Sequence, residues 1–127
     1  MDGADIVELK RFLTAYGPSE FIFREGEVGE SMYAVQEGVV DIFKERADGP
    51  VALRTLGQGE FFGEMALVDQ SPRSASAVAG PEGAKVIAID SAHFVYLVSQ
   101  QPAFALVILS VMASRLRSNS ERWDHPK

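Results

Sequence analysis

Hydrophobic residues follow a helical pattern at the start of the chain. They recur at helical spacing at Ile6, Leu9, Phe12 and Leu13. Asp5 precedes them in the position of an N-cap, and Gly17-Pro18 follows as a stop signal. The pattern therefore predicts a helix that begins after Asp5 and ends near Tyr16, within an N-terminal helical segment of residues 1–19.

Between residues 20 and 90 the pattern changes to short β-rich runs that alternate with glycines. The predicted strands are residues 21–23, 32–36, 39–43, 51–56, 74–79 and 85–89. Asp48-Gly49 lies between two of these runs and is a strong hairpin signal. Many short strands at regular spacing are typical of a barrel rather than of a parallel sheet. We therefore predict a mainly β fold with flanking helices, in which residues 20–90 form a double-stranded β-helix (jelly-roll) barrel.

The pattern becomes helical again beyond the last predicted strand. Asp90-Ser91 fits as the cap of a helix over residues 92–100, and Pro102 fits the start of a last helix that runs to about Trp123. Two C-terminal helices are thus predicted over residues 91–123. The last helix is apolar nearly all round in its first three turns, so it needs cover on more than one side. One candidate cover is the barrel, and another is a second copy of the chain, which would make a homodimer.

Composition and charge narrow the class of protein. With 127 residues, of which 46% are hydrophobic and 24% charged, we predict one globular domain over residues 1–127. The net charge of −6 disfavours direct contact with nucleic acid, because phosphate backbones select clustered Lys and Arg. Cysteine is absent, which excludes disulfides and is compatible with the cytoplasm, where we place the protein. The acidic N-terminus is no signal peptide, and the longest apolar run, residues 103–113, is too short to span a membrane.

Residues 61–79 carry the most specific chemistry of the sequence. Gly63 and Glu64 open a short apolar turn, and Arg73 follows nine residues after Glu64. A glycine-led helical turn offers backbone N–H groups for a phosphate, and an arginine adds a planar fork of donors. A carboxylate beside them suits a neutral hydroxyl, such as that of a ribose. Phosphate and sugar chemistry in one short stretch predicts a nucleotide ligand.

This stretch resembles the phosphate-binding cassette of cyclic nucleotide-binding domains, whose pattern is F-G-E-x-A-L, a short spacer and then x-R-[AST]-A. The matching positions are Phe62, Gly63, Glu64, Ala66, Leu67, Pro72, Arg73, Ser74 and Ala75. Residues 23–27, 29–33 and 37–40 also resemble strands and turns of that family, so the similarity covers nearly the whole chain. The resemblance implies a sensor domain, without enzymatic activity, cofactor or metal, that binds cAMP or, as the alternative, cGMP. Binding would shift the last helix.

The resemblance also assigns roles to individual residues. Arg73 would hold the cyclic phosphate together with the backbone of residues 63–66, and Glu64 would accept a hydrogen bond from the ribose 2′-hydroxyl. Threonine at the position of Ser74 accompanies a preference for cGMP in the family, so the serine favours cAMP. The predicted ligand-binding residues are Phe62, Gly63, Glu64, Met65, Ala66, Arg73, Ser74, Ala75, Asn119 and Ser120.

Asn119 and Ser120 enter this set through an alignment of the last helix with the long helix of bacterial catabolite activator proteins. There they take the positions that contact the adenine base, although an exposed polar helix face explains them equally well. In those regulators a DNA-binding domain follows the long helix. This sequence ends at Lys127, so we expect either a stand-alone sensor or a domain of a longer polypeptide.

The same residues have ordinary structural explanations. Arg73 could form a surface salt bridge with Glu64 or Asp69, and Glu64 could serve only the helix N-terminus. At the level of function, the first alternative is a dimerisation or interaction module of the same fold that binds no nucleotide. The second is a cupin-like enzyme, which needs clustered His and Glu ligands; the sequence has two scattered histidines and no such cluster.

Overall fold

The computed structural model describes residues 13–110 together with residues 113 and 114. These residues fall into two compact units, which are described separately. The first extends to Ser91 and holds all of the described strands, and the second begins at Ala92 and is helical. No helix within the described ranges is both long and apolar enough to cross a membrane.

The first unit is built on one six-stranded antiparallel sheet. Its elements are β1 (Leu13–Tyr16), β2 (Phe21–Phe23), β3 (Ser31–Lys44), β4 (Val51–Leu56), β5 (Phe61–Phe62), the short helix α1 (Met65–Asp69) and β6 (Ser76–Asp90). The main path of the sheet runs β1-β6-β3-β4, while β2 pairs with β6 and β5 pairs with β3. The mainly β prediction is confirmed, and in the described residues the sheet forms a roll that is not closed into a barrel.

Strands β3 and β6 form a long ribbon that organises this unit. Their pairing runs from Ser31 opposite Asp90 to Phe43 opposite Ser76, and its register shifts on either side of Gly38. Gly38 has a φ of +80°, and a Cβ there would overlap the carbonyl oxygen of Gly83. The glycine therefore bends the strand without ending it.

Several predicted strands are joined in the structure. Residues 32–36 and 39–43 belong to the single strand β3, and residues 85–89 join most of the 74–79 run in β6. The glycines between these runs indicated corners in the sequence, but the ladder continues through them. The prediction that residues 74 and 75 lie in a strand is wrong, because β6 begins at Ser76.

The prediction of an N-terminal helix up to Tyr16 is wrong over its last turn. Residues Leu13–Tyr16 form β1, which pairs with β6 from Leu13 opposite Ile87 to Tyr16 opposite Ala84. Ladder hydrogen bonds to β6 override the local helical spacing, which is a weak preference over so few residues. The earlier part of the predicted helix, residues 1–12, lies outside the described residues.

The core of the first unit lies between the faces of the bent sheet. Its buried residues come from strands β3 to β6: Val35, Val40, Leu56, Phe62, Ala77, Ala79, Ala84 and Val86. Aromatic rings of β2 and β3 extend this core, since Phe23 lies 5.8 Å from Phe62 and 5.9 Å from Tyr33 between ring centroids. Phe62 also stacks on Tyr33 at 5.3 Å. The aromatic group thus surrounds the end of β5, where the predicted cassette begins.

The second unit contains helix α2 (Ser91–Gln100) apart from its first residue, as predicted, and a helix over residues 103–110, here called α3. The rings of Phe94 and Phe104 join the two helices at a centroid distance of 5.8 Å. Three large apolar side chains of α3 are exposed among the described residues, namely Leu106, Val107 and Leu109. Residues 113 and 114 are also helical, and the rest of the predicted helix to Trp123 lies outside the described part.

Candidate functional site

The predicted cassette begins with a sharp turn between β5 and α1. Phe62 is buried at the end of β5, and Gly63 follows with a φ of +76°, a conformation that favours glycine. Glu64 is the N-cap residue of α1 and is only 4% exposed. The N–H of Ala66 donates to the carbonyl of Gly63 at 3.3 Å, so this turn is closed by its own backbone.

Arg73 lies beside this turn and is 7% exposed. Its Nη1 donates to the carbonyl of Gly63 at 3.1 Å, and its Nη2 donates to the carbonyl of Ser31 at 2.8 Å. Its Nε is buried and has no hydrogen-bond partner among the described residues. Because buried donors are almost always paired in folded proteins, an unpaired Nε in this place indicates a site for an acceptor.

The guanidinium of Arg73 is enclosed by the turn between β2 and β3. The ring centroid of Phe23 lies 4.2 Å from its Cζ, and that of Tyr33 lies at 5.7 Å. A Cβ on Gly29 would overlap the guanidinium. The backbone joins the same parts, since Gly26 N–H donates to the Arg73 carbonyl at 2.8 Å and Arg73 N–H donates to the Glu27 carbonyl at 2.8 Å.

The charge of Arg73 is held in a desolvated place. Burial lowers its pKa, while the nearby Tyr33 and Glu27 act in the opposite direction. A guanidinium nevertheless stays protonated at neutral pH. The structure does not support the alternative of a surface salt bridge with Asp69: Arg73 is buried, the Asp69 carboxylate accepts the N–H of Ser71 at 3.0 Å, and both terminal nitrogens of Arg73 donate to backbone carbonyls. The buried cation therefore suits an anionic ligand.

A polar network fixes the chain just after Arg73. Ser76 is fully buried; its hydroxyl donates to the Glu45 carboxylate at 2.9 Å and accepts the N–H of Glu25 at 2.9 Å. The hydrogen bond from Arg24, at 2.7 Å, holds the pKa of Glu45 below its ordinary value. The backbone N–H of Glu45 lowers the pKa of Glu25, and Arg46 adds to this effect. The network ties the ends of β3 and β6 to the β2–β3 turn.

The structure brings the main predicted site residues together but not all of them. Gly63, Glu64 and Arg73 surround the same turn, with Phe62 packed behind it. The other described members are placed differently: Met65 and Ser74 are exposed, whereas Ala66 and Ala75 are buried. Asn119 and Ser120 lie outside the described residues.

The interpretation from sequence missed the residues that hold Arg73. Phe23, Gly29 and Ser31 contact its side chain, although none of them was predicted as part of the site. The segment resembled the family at these positions, but it was assigned only to strands and turns. The available signal was the aromatic strand Phe21–Phe23 followed by closely spaced glycines.

Comparison with known proteins identifies the family. The sequence pattern of the cyclic nucleotide-binding domain matches residues 13–101, which include the whole turn and Arg73. The chain belongs to the cyclic nucleotide-binding domain family. The resemblance inferred from residues 61–79 is thereby confirmed.

Relatives of this cyclic nucleotide-binding domain are named for different nucleotides, cAMP in some and cGMP in others. The cyclic AMP receptor protein of Thermus thermophilus is 37% identical over 80% of this chain and 47% of its own length. The cGMP-dependent protein kinase of Plasmodium berghei is 34% identical over 67% of this chain and 10% of its own length. The crystal structure of the Thermus thermophilus catabolite activator protein matches with a TM-score of 0.84 and 31% identity, covering 98% of this chain and 59% of that one. The chain thus spans about half of the first relative.

Proposed function

We propose that this domain binds a cyclic nucleotide, cAMP in preference to cGMP, and acts as a regulatory sensor rather than as an enzyme. The observation that carries the proposal is the buried guanidinium of Arg73, whose Nε lacks a partner among the described residues. A cyclic phosphate would supply the acceptor and the negative charge that this position favours. Membership of the family gives the phosphate its most natural source, a cyclic nucleotide.

The neighbouring residues suit the rest of such a ligand. Gly63 keeps the turn free of a side chain, so the ligand can approach the backbone closely. Glu64 would accept the ribose 2′-hydroxyl, because an ionised carboxylate is an acceptor and would repel the phosphate itself. Ser74 supports cAMP over cGMP, since threonine at this position accompanies cGMP preference in the family. No cofactor and no catalytic residue is part of this function.

The proposal is tested by calorimetric titration of the chain with cAMP and with cGMP. We expect saturable one-to-one binding of both, with the lower Kd for cAMP. Ser74→Thr is expected to lower the Kd for cGMP relative to that for cAMP, and Ser71→Thr, at a serine outside the predicted contacts, is the matched control. Failure of the chain to bind either nucleotide at millimolar concentration would favour the ligand-free module. Equal Kd values for the two nucleotides would contradict only the preference.

We further propose that the helices after β6 read out the ligand and mediate a homodimer. A ligand shifts an equilibrium only through contacts that differ between two states, so the helices must differ between the free and the bound chain. Amide hydrogen exchange of residues 103–110 with and without cAMP tests this coupling. Unchanged exchange rates across α3 would contradict it.

The homodimer is supported by the exposed apolar side chains of α3. Leu106 and Leu109 are 69% and 59% exposed among the described residues, and Val107 lies between them. A charge at the centre of an apolar seam is costly to desolvate, so Val107→Glu or Leu109→Glu is expected to give a monomer in sedimentation velocity. Gln100→Glu places the same charge at an exposed polar position of the neighbouring helix α2 and is the control. A sedimentation coefficient unaffected by either substitution would argue against the seam.

A further inference from the structure

We propose that Phe23 and Gly29 are positioning residues that clamp the guanidinium of Arg73 so that its Nε is presented to the phosphate of the ligand. This role presupposes the nucleotide-binding function proposed above and adds two residues to it. Both lie outside the cassette of residues 61–79, on the strand and turn that precede β3. The clamp accordingly joins two segments that are distant in the sequence.

Phe23 supplies a flat, fixed surface for the guanidinium. Its ring centroid lies 4.2 Å from the Cζ of Arg73, within the range of a cation–π contact. The ring itself is held by Phe62 and Tyr33, at centroid distances of 5.8 and 5.9 Å. Because this aromatic group is packed against the core, the ring cannot turn away from the cation without disturbing the sheet.

Gly29 supplies space rather than a special backbone conformation. A Cβ at this position would overlap three atoms of the guanidinium, Nη2, Cζ and Nε. Its φ lies outside the left-handed region, unlike the φ of +76° at Gly63, so an alanine is compatible with the backbone of this turn. The need for glycine at position 29 therefore comes from the side chain of Arg73.

Together with two backbone carbonyls, Phe23 and Gly29 determine which edge of the guanidinium is left for the ligand. The two terminal nitrogens are held by the carbonyls of Gly63 and Ser31, while Phe23 and Gly29 confine the plane of the group. Nε keeps its only N–H without a protein partner, and it has almost no accessible surface in the ligand-free chain. A phosphate oxygen at Nε would leave the hydrogen bonds to Gly63 and Ser31 intact, and the residues around Nε must move apart to admit it. Such preorganisation removes an ordering cost from binding.

The ring contact is tested by Phe23→Leu, which keeps an apolar side chain but removes the aromatic face. We expect the Kd for cAMP to rise up to about tenfold, because a guanidinium without the ring must be ordered when the ligand binds. Phe21→Leu is the matched control, because Phe21 lies on the same strand and stacks on the exposed Arg24 at 4.4 Å. In an Arg73→Gln background, which has no cation to stack on the ring, Phe23→Leu should cause little further loss. An equal loss in both backgrounds would mean that Phe23 acts on the fold and not through Arg73.

The space at Gly29 is tested by Gly29→Ala, with Gly57→Ala as the control. A Cβ on Gly57 meets nothing within 4 Å, and its φ is also outside the left-handed region. Gly29→Ala should displace the guanidinium and raise the Kd for cAMP about tenfold while circular dichroism still shows a folded chain, whereas Gly57→Ala should leave the Kd unchanged. This variant tests the clamp even if Phe23→Leu fails to fold. An unchanged Kd in Gly29→Ala would overturn the role of Gly29.

A spectroscopic measurement separates the clamp from the proposed function. In the ligand-free chain the Nε–H proton of Arg73 should be shifted by the ring current of Phe23, and the shift should vanish in Phe23→Leu. If the chain binds no cyclic nucleotide but shows the shift, the proposed function fails and the clamp geometry stands. If the chain binds cAMP and the Nε–H proton resonates at the ordinary arginine position, the clamp is wrong and the function stands.

Discussion

Replacing Arg73 with alanine is expected to weaken the binding of cAMP about a hundredfold or more. A charge-assisted hydrogen bond contributes about 1.5–3 kcal/mol, and each factor of ten in Kd corresponds to about 1.4 kcal/mol. A phosphate bound at Nε and one terminal nitrogen would lose two such bonds. Calorimetric titration of wild type and variant measures the effect, and circular dichroism of the ligand-free variant checks the fold.

Two further variants make the interpretation of Arg73→Ala specific. Arg73→Lys keeps the positive charge but loses the planar fork, so its Kd should fall between those of wild type and Arg73→Ala. Arg54→Ala, in β4, removes one positive charge from another part of the sheet and should leave the Kd nearly unchanged. If Arg73→Ala bound cAMP as tightly as wild type, the phosphate site would have to lie elsewhere in the molecule.

Replacing Gly38 with alanine is expected to lower the free energy of unfolding by about 3 kcal/mol or more. A non-glycine residue at a φ of +80° costs about 1–2 kcal/mol, and the added Cβ would overlap the carbonyl oxygen of Gly83 and lie 3.0 Å from the Cα of Ala84. Both neighbours are backbone atoms of β6, so the strand itself would have to move. Urea unfolding measures the loss.

Gly59→Ala is the matched control for the backbone conformation. Gly59 has a φ of +86°, but a Cβ there meets nothing within 4 Å. Its substitution should cost about 1–2 kcal/mol, the conformational part alone. The difference between the two variants then gives the cost of the close approach of β3 and β6. Equal losses of stability in both would show that the ribbon accommodates a methyl group at the bend.

The sequence predicted the proximity of Gly63 and Arg73 more accurately than the boundaries of the strands around them. The backbone freedom of Gly63, the carboxylate of Glu64 and the guanidinium of Arg73 can be recognised from residue type alone. Gly63 and Glu64 are also adjacent in the sequence, so the turn that they form is local. The length of β3 could not be predicted in this way, because Gly38 bends the strand while its ladder with β6 continues. Whether a glycine ends a strand or bends it depends on the partner strand, which the local pattern does not contain.

The error at the N-terminus has a related cause. Residues Leu13–Tyr16 take part in an apolar spacing that fits a helix, yet they pair with residues 84–87 of β6. A segment of four residues is too short for its own preference to decide against ladder hydrogen bonds.

The residues around Arg73 were missed because their proximity also depends on the fold. Phe23 and Gly29 are far from Arg73 in the sequence, and only the fold brings them together.

The β3–β6 ribbon also governs the order in which the domain can form. Ser31 pairs with Asp90, so one end of the ribbon closes only when almost the entire first unit has been synthesised. Contacts between such distant residues require the closure of a long loop, which slows folding. The guanidinium of Arg73 depends on the carbonyl of Ser31 from the same ribbon. We therefore expect the surroundings of Arg73 to be among the last parts of this unit to assemble during synthesis on the ribosome.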